Sequence, residues 1–346
     1  MKKIVAILIF ATLIFSCTEK ESSHKYTSVA IQTVFEDSVS IRAIAFLDAN
    51  TLALAGSNGV YGTVAVNSGT VRTSQMKYHT SIPEFRAVSH TATDFFMLSA
   101  GNPALLYKTG DNGRMDLVYK EEGEGVFYDS MKFWNDREGI AVGDTMDGCL
   151  SVIITRNGGQ SWKKLSCDKL PVAKAGEGAF AASNTNIEIV GDHIWIATTE
   201  SRIFYSPDMG NTWQVYEAPI VNKQPTQGIY SIDFYDSELG IAFGGDYTKP
   251  EDPRNNKAIT SDGGQTWKIL ADGNRPGYKS CVQFIPNSGG EDIVAVGFTG
   301  ISYSSDMGDS WKELSEEGFY TLRFLNDSVA YAAGKNRISR LTFRTE

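Results

Sequence analysis

The chain has few residues of the kinds that bind metals. Its 346 residues include only 4 cysteines and 4 histidines. The histidines are scattered, and no CxxC pair or Cys/His cluster has the spacing that a zinc site requires. A glycine-rich match, GEGAFA at 176–181, lacks the βαβ context that a dinucleotide site needs. We therefore expect no metal and no cofactor.

The chain also has fewer positively charged than negatively charged side chains. There are 32 Lys and Arg against 41 Asp and Glu, so that the formal net charge is −9. Proteins that bind nucleic acid need clustered basic side chains, and the composition therefore excludes a nucleic-acid partner. No long stretch shows helical periodicity, whereas short apolar runs bounded by Gly, Asn and Asp are frequent, which indicates an all-β fold.

The longest apolar run, residues 4–15, is shorter than the roughly 20 residues of a membrane-spanning helix. It follows two lysines and ends just before Cys17, as in a secretory signal that resembles a bacterial lipobox. We expect residues 1–16 to be removed, Cys17 to carry lipid and 17–25 to form a tether. The protein would then face the periplasm or cell exterior from a lipid anchor in the bacterial cell envelope. An ordinary signal peptide with a chance cysteine is the alternative.

Two further cysteines flank a predicted hairpin. Cys149 and Cys167 are nearly opposite each other across a turn at 158–159. In an oxidising compartment this placement favours a disulfide, and two buried thiols are the alternative. Cys281 lies in a predicted core strand.

The strongest signal in the sequence is internal repetition. One turn motif recurs at 155–162, 206–213, 260–267 and 304–311, with a degenerate copy at 108–115. An Asp or Asn can accept hydrogen bonds from backbone N–H groups further along such a turn, and Gly supplies positive φ. We therefore assign a structural role to the Asp or Asn near the start of each copy and to the Trp that ends each complete copy. These residues are Asp111, Asn157, Asp208, Asp262 and Asp306, with Trp162, Trp213, Trp267 and Trp311.

The strands around these turns repeat as well. An aromatic-rich first strand, followed by a short Ala- and Gly-rich strand, is expected at 41–48, 85–90, 128–135, 180–185, 229–236, 280–286 and 319–326. Seven units predict seven blades of four antiparallel strands. The last unit lacks a fourth strand, and the orphan segment 26–35 alternates like one. We predict that this segment supplies the missing strand and closes residues 26–346 into one ring.

The repeated turn resembles the Asp-box, or BNR repeat, of sialidase-like β-propellers. The phrases GIAVGD, TSDGGQTW and GIAFGGDYTKP also resemble the propeller family that includes the photosystem II assembly and stability factor, over roughly residues 40–344. The resemblance implies a seven-bladed β-propeller whose Asp-boxes are structural, and a binding scaffold that helps to assemble membrane complexes. That factor is described with an Arg-rich face, whereas this chain is acidic overall.

The first strands of a propeller line its central channel. When the seven first strands are aligned, one equivalent position in each strand forms a ring of charged and aromatic side chains. This ring is either a solvated channel wall held by ion pairs or a site for a polar or anionic ligand at the channel mouth. The irregular segments 171–183 and 246–257 are expected on the same rim. The candidate binding residues are Arg42, Arg86, Asp129, Glu177, Tyr230, Lys279 and Tyr320.

Our interpretation of the sequence is a monomeric, non-enzymatic scaffold that recognises a protein or glycan at the channel mouth. A sialidase-like glycoside hydrolase (EC 3.2.1 type) is the alternative, in which Arg42 and Arg86 would bind the substrate carboxylate. Tyr230 or Tyr320 would then be the nucleophile. Two features weigh against it: the FRIP-like signature is incomplete, and the ring has no third arginine, since Arg323 is expected on the other face of its strand.

Overall fold

The structure, a computed structural model, describes residues 26–345, so the predicted signal peptide, Cys17 and the tether lie outside the described residues. Within that range no helix is long and apolar enough to cross a membrane.

Three short 3-10 helices cover Ser57–Gly59, Asp111–Gly113 and Cys167–Lys169. The strands are β1 (Ser28–Asp48), β2 (Thr51–Gly56), β3 (Val60–Ala65), β4 (Val71–Gln75), β5 (Phe85–His90), β6 (Phe95–Ser99), β7 (Ala104–Thr109), β8 (Met115–Glu121), β9 (Tyr128–Phe133), β10 (Gly139–Met146), β11 (Cys149–Thr155), β12 (Lys163–Lys164), β13 (Ile187–Val190), β14 (His193–Ala197), β15 (Arg202–Ser206), β16 (Gln214–Glu217), β17 (Gln227–Phe234), β18 (Gly240–Asp246), β19 (Lys257–Thr260), β20 (Lys268–Ile269), β21 (Cys281–Phe284), β22 (Ile293–Gly297), β23 (Gly300–Ser304), β24 (Lys312–Ser315), β25 (Thr321–Phe324), β26 (Val329–Ala333) and β27 (Lys335–Arg344).

These strands form five four-stranded antiparallel sheets and one seven-stranded sheet. Each four-stranded sheet is a meander of consecutive strands: β5 to β8, β9 to β12, β13 to β16, β17 to β20, and β21 to β24. The second strand of a sheet is typically buried along its whole length, as in β6, β22 and β26. A strand buried on both faces needs apolar residues at consecutive positions instead of alternating ones, which explains the phrases rich in small apolar residues.

Strand β1 belongs to two parts of the seven-stranded sheet, whose order is β25-β26-β27-β1-β2-β3-β4. Its first half pairs antiparallel with β27, from Ser28 opposite Arg344 to Glu36 opposite Arg337. Its second half, from Ile41 onward, pairs with β2. The N-terminal segment that the sequence assigned to the last repeat therefore lies beside the final strand of the chain.

The innermost strands of the sheets contact one another in a cyclic order. The contacts run from β1 to β5, β9, β13, β17, β21 and β25, and β25 contacts β1. Apolar side chains fill the spaces between neighbouring sheets. The cluster of Phe96, Tyr128 and Trp162, for example, joins the second sheet of the chain to the third. The core is thus distributed around an axis that the inner strands surround.

The prediction that 180–185 is a first strand is wrong. The inner strand of that sheet is β13, and the residues before it, 179–186, leave the sheet and cross the axis. We call residues 179–186 the axial segment. Its small polar residues are buried, with Asn184 only 2% exposed, and a segment buried in this way needs hydrogen-bond partners.

Inner strands on all sides of the axis supply those partners. Asn184 Nδ2 donates to Val88 O at 2.8 Å, and Asn184 Oδ1 accepts from Met131 N at 2.9 Å. Ser183 Oγ donates to Ser280 O at 2.6 Å, while Ile232 N donates to Thr185 O at 2.8 Å. The axial segment is therefore fixed across the axis and separates its two ends.

The four complete repeated turns have one hydrogen-bond pattern. In the third copy Asp262 Oδ1 accepts from Thr266 N at 2.9 Å and from Thr260 Oγ1 at 2.8 Å, and Asp208 and Asp306 make the equivalent bonds. Asn157 accepts from its own turn as well. The indoles of Trp213, Trp267 and Trp311 donate to a glycine carbonyl of the turn, whereas Trp162 Nε1 has no partner.

Replacing Asp262 by Ala is expected to lower the free energy of unfolding by about 1–2 kcal/mol, because the turn donors Thr266 N and Thr260 Oγ1 lose a charged acceptor. Asp111→Ala is the matched control, since no described residue donates to the Asp111 carboxylate, and we expect a change of about 0.5 kcal/mol or less. Chemical denaturation measures both, and equal losses in the two variants would contradict the structural role of Asp262.

The same pair of variants predicts a pH dependence. Partial burial raises the pKa of Asp262, but hydrogen bonds from Thr266 and Thr260 outweigh it and leave the pKa below its usual range. The stabilisation is therefore present above the unfolded-state pKa near ~4 and is lost as pH falls through the folded-state pKa. The stability difference between wild type and Asp262→Ala should shrink below about pH 4.

Cys149 and Cys167 are joined by a disulfide, with their Cα atoms 5.5 Å apart. Cys149 begins β11, and Cys167 begins the short helix after β12. The bond fixes the chain that leaves the third sheet toward the axial segment. Cys281 is a buried free thiol in β21.

Candidate functional site at the two ends of the axis

Two cavities lie at the ends of the axis, one on each side of the axial segment. Arg86, near the start of β5, and Arg42, near the start of the half of β1 that pairs with β2, line the first cavity. Residues further along the same strands, such as Phe46 and His90, line the second. Since the same order recurs from strand to strand, the two cavities open on opposite faces. We call the first the aromatic mouth and the second the polar mouth.

The aromatic mouth is a cavity of about 380 Å³. Both irregular segments that the sequence placed on one rim reach it, 171–183 through Phe180 and 246–257 through Tyr247. Its side-chain lining is Arg42, Arg86, Phe127, Phe180, Tyr230, Tyr247, Tyr278, Phe298 and Tyr320, with Ala179, Ala181 and Ala182 of the axial segment.

The aromatic rings of this mouth contact one another. Phe180 and Tyr230 are stacked with ring centroids 3.7 Å apart, and Tyr278 meets Tyr230 edge-on at 4.7 Å. Phe298 continues the row at 5.3 Å from Tyr278. Tyr247 and Phe298 are 47% and 44% exposed, which is unusual for large apolar side chains. The mouth therefore presents a firm aromatic surface with an accessible rim.

The two arginines differ in how their charge is satisfied. Arg86 pairs with Glu84 at 3.1 Å and donates to Ala181 O at 3.2 Å. Arg42 lies over the Tyr320 ring at 4.1 Å and donates to Ala182 O at 3.4 Å. Its Nε is buried without a partner, and no carboxylate of the described residues forms an ion pair with it. Burial and the neighbouring Arg86 charge lower the pKa of Arg42.

Tyr230, one of the two tyrosines that the sequence suggested as a nucleophile, has its hydroxyl held by a backbone carbonyl. The Tyr230 hydroxyl donates to Thr226 O at 2.8 Å. Burial raises the pKa of Tyr230, and Tyr278 raises it further. A phenol of this kind stays protonated at neutral pH and offers a ring face and a hydrogen bond.

Three of the sequence-predicted site residues lie behind the cavity wall. Asp129 is fully buried, and its pKa is far above the usual range because burial and Asp144 outweigh the opposing charge of Arg86. Lys279 is also buried, donates to Gly300 O at 2.8 Å, and has a pKa lowered by burial to about 8. Neither side chain lines the aromatic mouth.

The third of these buried site residues is Glu177, which is held by hydrogen bonds and an ion pair from nearby residues. Arg202 Nε donates to Glu177 Oε1 at 2.9 Å, and Arg202 NH2 pairs with Oε2. Thr198 Oγ1 and Lys174 N supply further bonds at 2.6 and 2.8 Å. The Glu177 side chain is 0% exposed. This carboxylate is therefore paired within the chain and anchors the segment leading to the axis.

The polar mouth, a cavity of about 560 Å³, was missed by the alignment of first strands. Arg323, expected to turn away from the channel, reaches the axis here and donates to Asn184 O at 3.2 Å. The available signal was the recurrence of charged residues near the ends of the inner strands. The side chains that line this mouth include Phe46, His90, Lys132, Trp134, Glu188, Asp233, Gln283, Arg323 and Phe324.

Comparison with known proteins gives the fold of the chain. No family model matches it, and no curated protein matches it significantly. Among solved structures, YCF48 bound to a D1 peptide is 14% identical with a TM-score of 0.63, over 92% of this chain and 96% of that one. The WD40 repeats of RRP9 are 12% identical with a TM-score of 0.65, over 92% of this chain and 100% of that one. The WD40 β-propeller domain of Doa1 is 12% identical with a TM-score of 0.62, over 92% of this chain and 98% of that one. At these identities the likeness establishes the fold alone: the chain has a β-propeller fold.

Proposed function

We propose that the protein is a non-enzymatic scaffold that binds a protein segment at the aromatic mouth. The observation that carries this proposal is Arg42, a guanidinium held over an aromatic ring in a cavity with no carboxylate partner. A buried charge is stable only when it is paired or well hydrogen-bonded. A carboxylate on an incoming ligand would complete the site, because a guanidinium binds a carboxylate with two parallel hydrogen bonds.

The surroundings of Arg42 favour a protein ligand over a small anion. The stacked rings of Phe180 and Tyr230 offer an apolar surface beside the charge, and the exposed Tyr247 and Phe298 extend it onto the rim. Interfaces between proteins are enriched in such aromatic and arginine side chains. The similar structure of YCF48 holds a D1 peptide, which supports a peptide or protein segment as the partner of a propeller of this shape.

We also propose seven blades, with β1 shared by the last and the first. Dividing the seven-stranded sheet within β1 gives β25, β26, β27 and residues 28–36 as one blade, and residues 41–48 with β2, β3 and β4 as another. The cyclic contacts of the seven inner strands support closure. The bonds of the repeated turns support their assignment as Asp-boxes, in a sialidase-like propeller related to the photosystem II assembly factor.

The proposed location is a bacterial cell envelope, where Cys17 would carry a lipid anchor that tethers a monomeric propeller. The support is the apolar run at 4–15 with its two preceding lysines, together with the Cys149–Cys167 bond, which suits an oxidising compartment. Replacing Cys17 by Ser should move the expressed protein from the membrane fraction to the soluble fraction. Retention in the membrane fraction would exclude this anchor.

The glycoside hydrolase alternative has little support at the aromatic mouth. Glycoside hydrolysis ordinarily needs two carboxyl groups around the scissile bond, and no Asp or Glu of the described residues lines this cavity. Of the two nucleophiles in that hypothesis, Tyr230 is buried and donates to a backbone carbonyl, and the ring of Tyr320 is covered by Arg42. We expect no turnover of fluorogenic sialosides or other glycosides.

The binding site is tested by capture of a partner from solubilised envelope membranes on the immobilised protein. We expect one partner to be recovered and its recovery to fall about tenfold or more in Arg42→Gln with Arg86→Gln, since each charged hydrogen bond contributes about 1.5–3 kcal/mol. Arg72→Gln with Arg114→Gln removes two charges from exposed arginines away from the mouth and is the matched control. Equal loss in the control, or none in the double variant, would contradict this site.

A further inference from the structure

We propose that the polar mouth is a second binding site, on the opposite face of the ring, and that its ligand is a neutral oligosaccharide. This inference does not depend on the proposed partner of the aromatic mouth, because the axial segment separates the two cavities. The argument rests on which polar atoms of the polar mouth remain unused, on the balance of charge there, and on the aromatic side chains beside them.

Two carboxyl groups of the polar mouth each keep one oxygen available. Glu188 Oε1 binds Lys132 Nζ and accepts from Ile189 N, but no described residue donates to Glu188 Oε2. Asp233 Oδ2 accepts from Phe284 N at 2.6 Å, and Asp233 Oδ1 has no hydrogen bond from the described part of the chain. Both oxygens belong to residues that line the cavity.

Two neutral groups add further unused capacity. Gln283 Oε1 is buried without a partner, although buried amide oxygens are nearly always hydrogen-bonded. His90 Nδ1 contacts Thr91 O at 3.2 Å, and no described residue bonds its Nε2. The residues that line the cavity therefore include carboxyl, amide and imidazole groups with unused hydrogen-bonding capacity. Hydroxyl groups, which both donate and accept, can pair with all of them.

The charges of the polar mouth disfavour an ionic ligand. Lys132 is neutralised by Glu188, and the guanidinium of Arg323 is committed to the carbonyls of Leu322 and Asn184 at 2.7 and 3.2 Å. An anion would meet the Glu188 carboxylate, and a cation would meet Lys132 and Arg323. Burial and the neighbouring Glu188 charge raise the pKa of Asp233 well above its usual range, so that its carboxyl group offers hydrogen bonds instead of a charge. A ligand with many hydroxyl groups and no net charge meets neither penalty.

The apolar part of the lining suits a sugar ring. Phe46, Trp134 and Phe324 line the cavity and are each only partly buried. Aromatic faces can cover the C–H face of a pyranose while the polar atoms take its hydroxyl groups. The volume of about 560 Å³ lies within the roughly 300–1,000 Å³ of ligand cavities. The lining thus combines the aromatic surface and the hydrogen-bonding groups that an oligosaccharide site requires.

The proposal is tested by titrating the folded protein with maltotriose, cellotriose and chitotriose, by calorimetry or ligand-observed NMR. We expect at least one of them to bind with a Kd of ~1 mM or tighter. Gln283→Ala should weaken that binding about tenfold or more. No residue of the described range 26–345 forms a hydrogen bond with its amide, so the melting temperature should stay unchanged. Glu188→Gln, which keeps the shape of the side chain, should also weaken binding.

Controls place the sugar at one mouth. Tyr247→Ala alters the aromatic mouth only and should leave the sugar affinity within about twofold of wild type. If Glu188→Gln fails to fold, Gln283→Ala alone decides the matter. Absence of binding by all three trisaccharides, or unchanged affinity in Gln283→Ala, would overturn the proposal. Binding lost in Tyr247→Ala but kept in Gln283→Ala would move the sugar to the aromatic mouth and overturn it as well.

Discussion

A chain that begins at Asp37 is expected to melt about 10 °C or more below a chain that begins at Tyr26. The deletion removes the half of β1 that pairs with β27 from Ser28 to Glu36. It also removes Tyr26, which is 5% exposed and packs in the cluster of Phe343 and Tyr303. Losing the burial of two or three apolar side chains amounts to about 5 kcal/mol.

The loss of backbone pairing adds to this effect. Without the first half of β1, strand β27 becomes a sheet edge with unpaired N–H and C=O groups, which favours aggregation. A synthetic peptide of residues 26–36, added in excess, should recover part of the lost melting temperature, because it can pair with the exposed edge. The proposed closure would be wrong if the two chains melted within about 2 °C of each other.

The sequence predicted the repeated turns because their hydrogen bonds are local. Asp262 binds donors only two and four residues away, so the motif itself contains the whole interaction. The short buried strands were predictable for a similar reason, since their consecutive small apolar residues suit only a strand covered on both faces. The pairing of the N-terminal segment followed from counting strands in the last repeat. None of these steps needed knowledge of distant contacts.

The axial segment could not be predicted in this way. Residues 180–185 have the composition of the other first strands, and only their partners reveal the difference. Asn184 binds Val88 and Met131 on two other inner strands, and these contacts exist only in the folded chain. A buried polar residue is stable only where it finds hydrogen-bond partners. Which distant backbone groups point toward the axis cannot be read from the local sequence.

The candidate site was predicted only in part for the same reason. Arg42 and Tyr320 meet because two adjacent inner strands begin at the same level, which the repeat alignment captured. The alignment could not distinguish a side chain that lines the cavity from one turned behind its wall, as with Lys279. The alignment also compared only one equivalent position in each first strand. It therefore missed the polar mouth, which lies further along these strands and where Arg323 reaches the axis.

Replacing Arg202 by Met is expected to lower the free energy of unfolding by about 3–5 kcal/mol, because it leaves a buried charge without its partner. Arg202 and Glu177 have side chains that are 12% and 0% exposed, and the guanidinium contacts both carboxylate oxygens. Arg114→Met is the matched control. Its pair with Asp116 is exposed on both sides, and exposed pairs contribute about 0–1 kcal/mol.

Combining Arg202→Met with Glu177→Gln separates the cost of an unpaired charge from the contribution of the pair. We expect the double variant to recover about half or more of the loss, since the amide oxygen of Gln can accept from Lys174 N while its NH2 group donates to Thr198 Oγ1. Chemical denaturation gives each free energy and the coupling between the two sites. If Arg202→Met were no more destabilising than Arg114→Met, Glu177 would not be the buried anchor of the segment that crosses the axis.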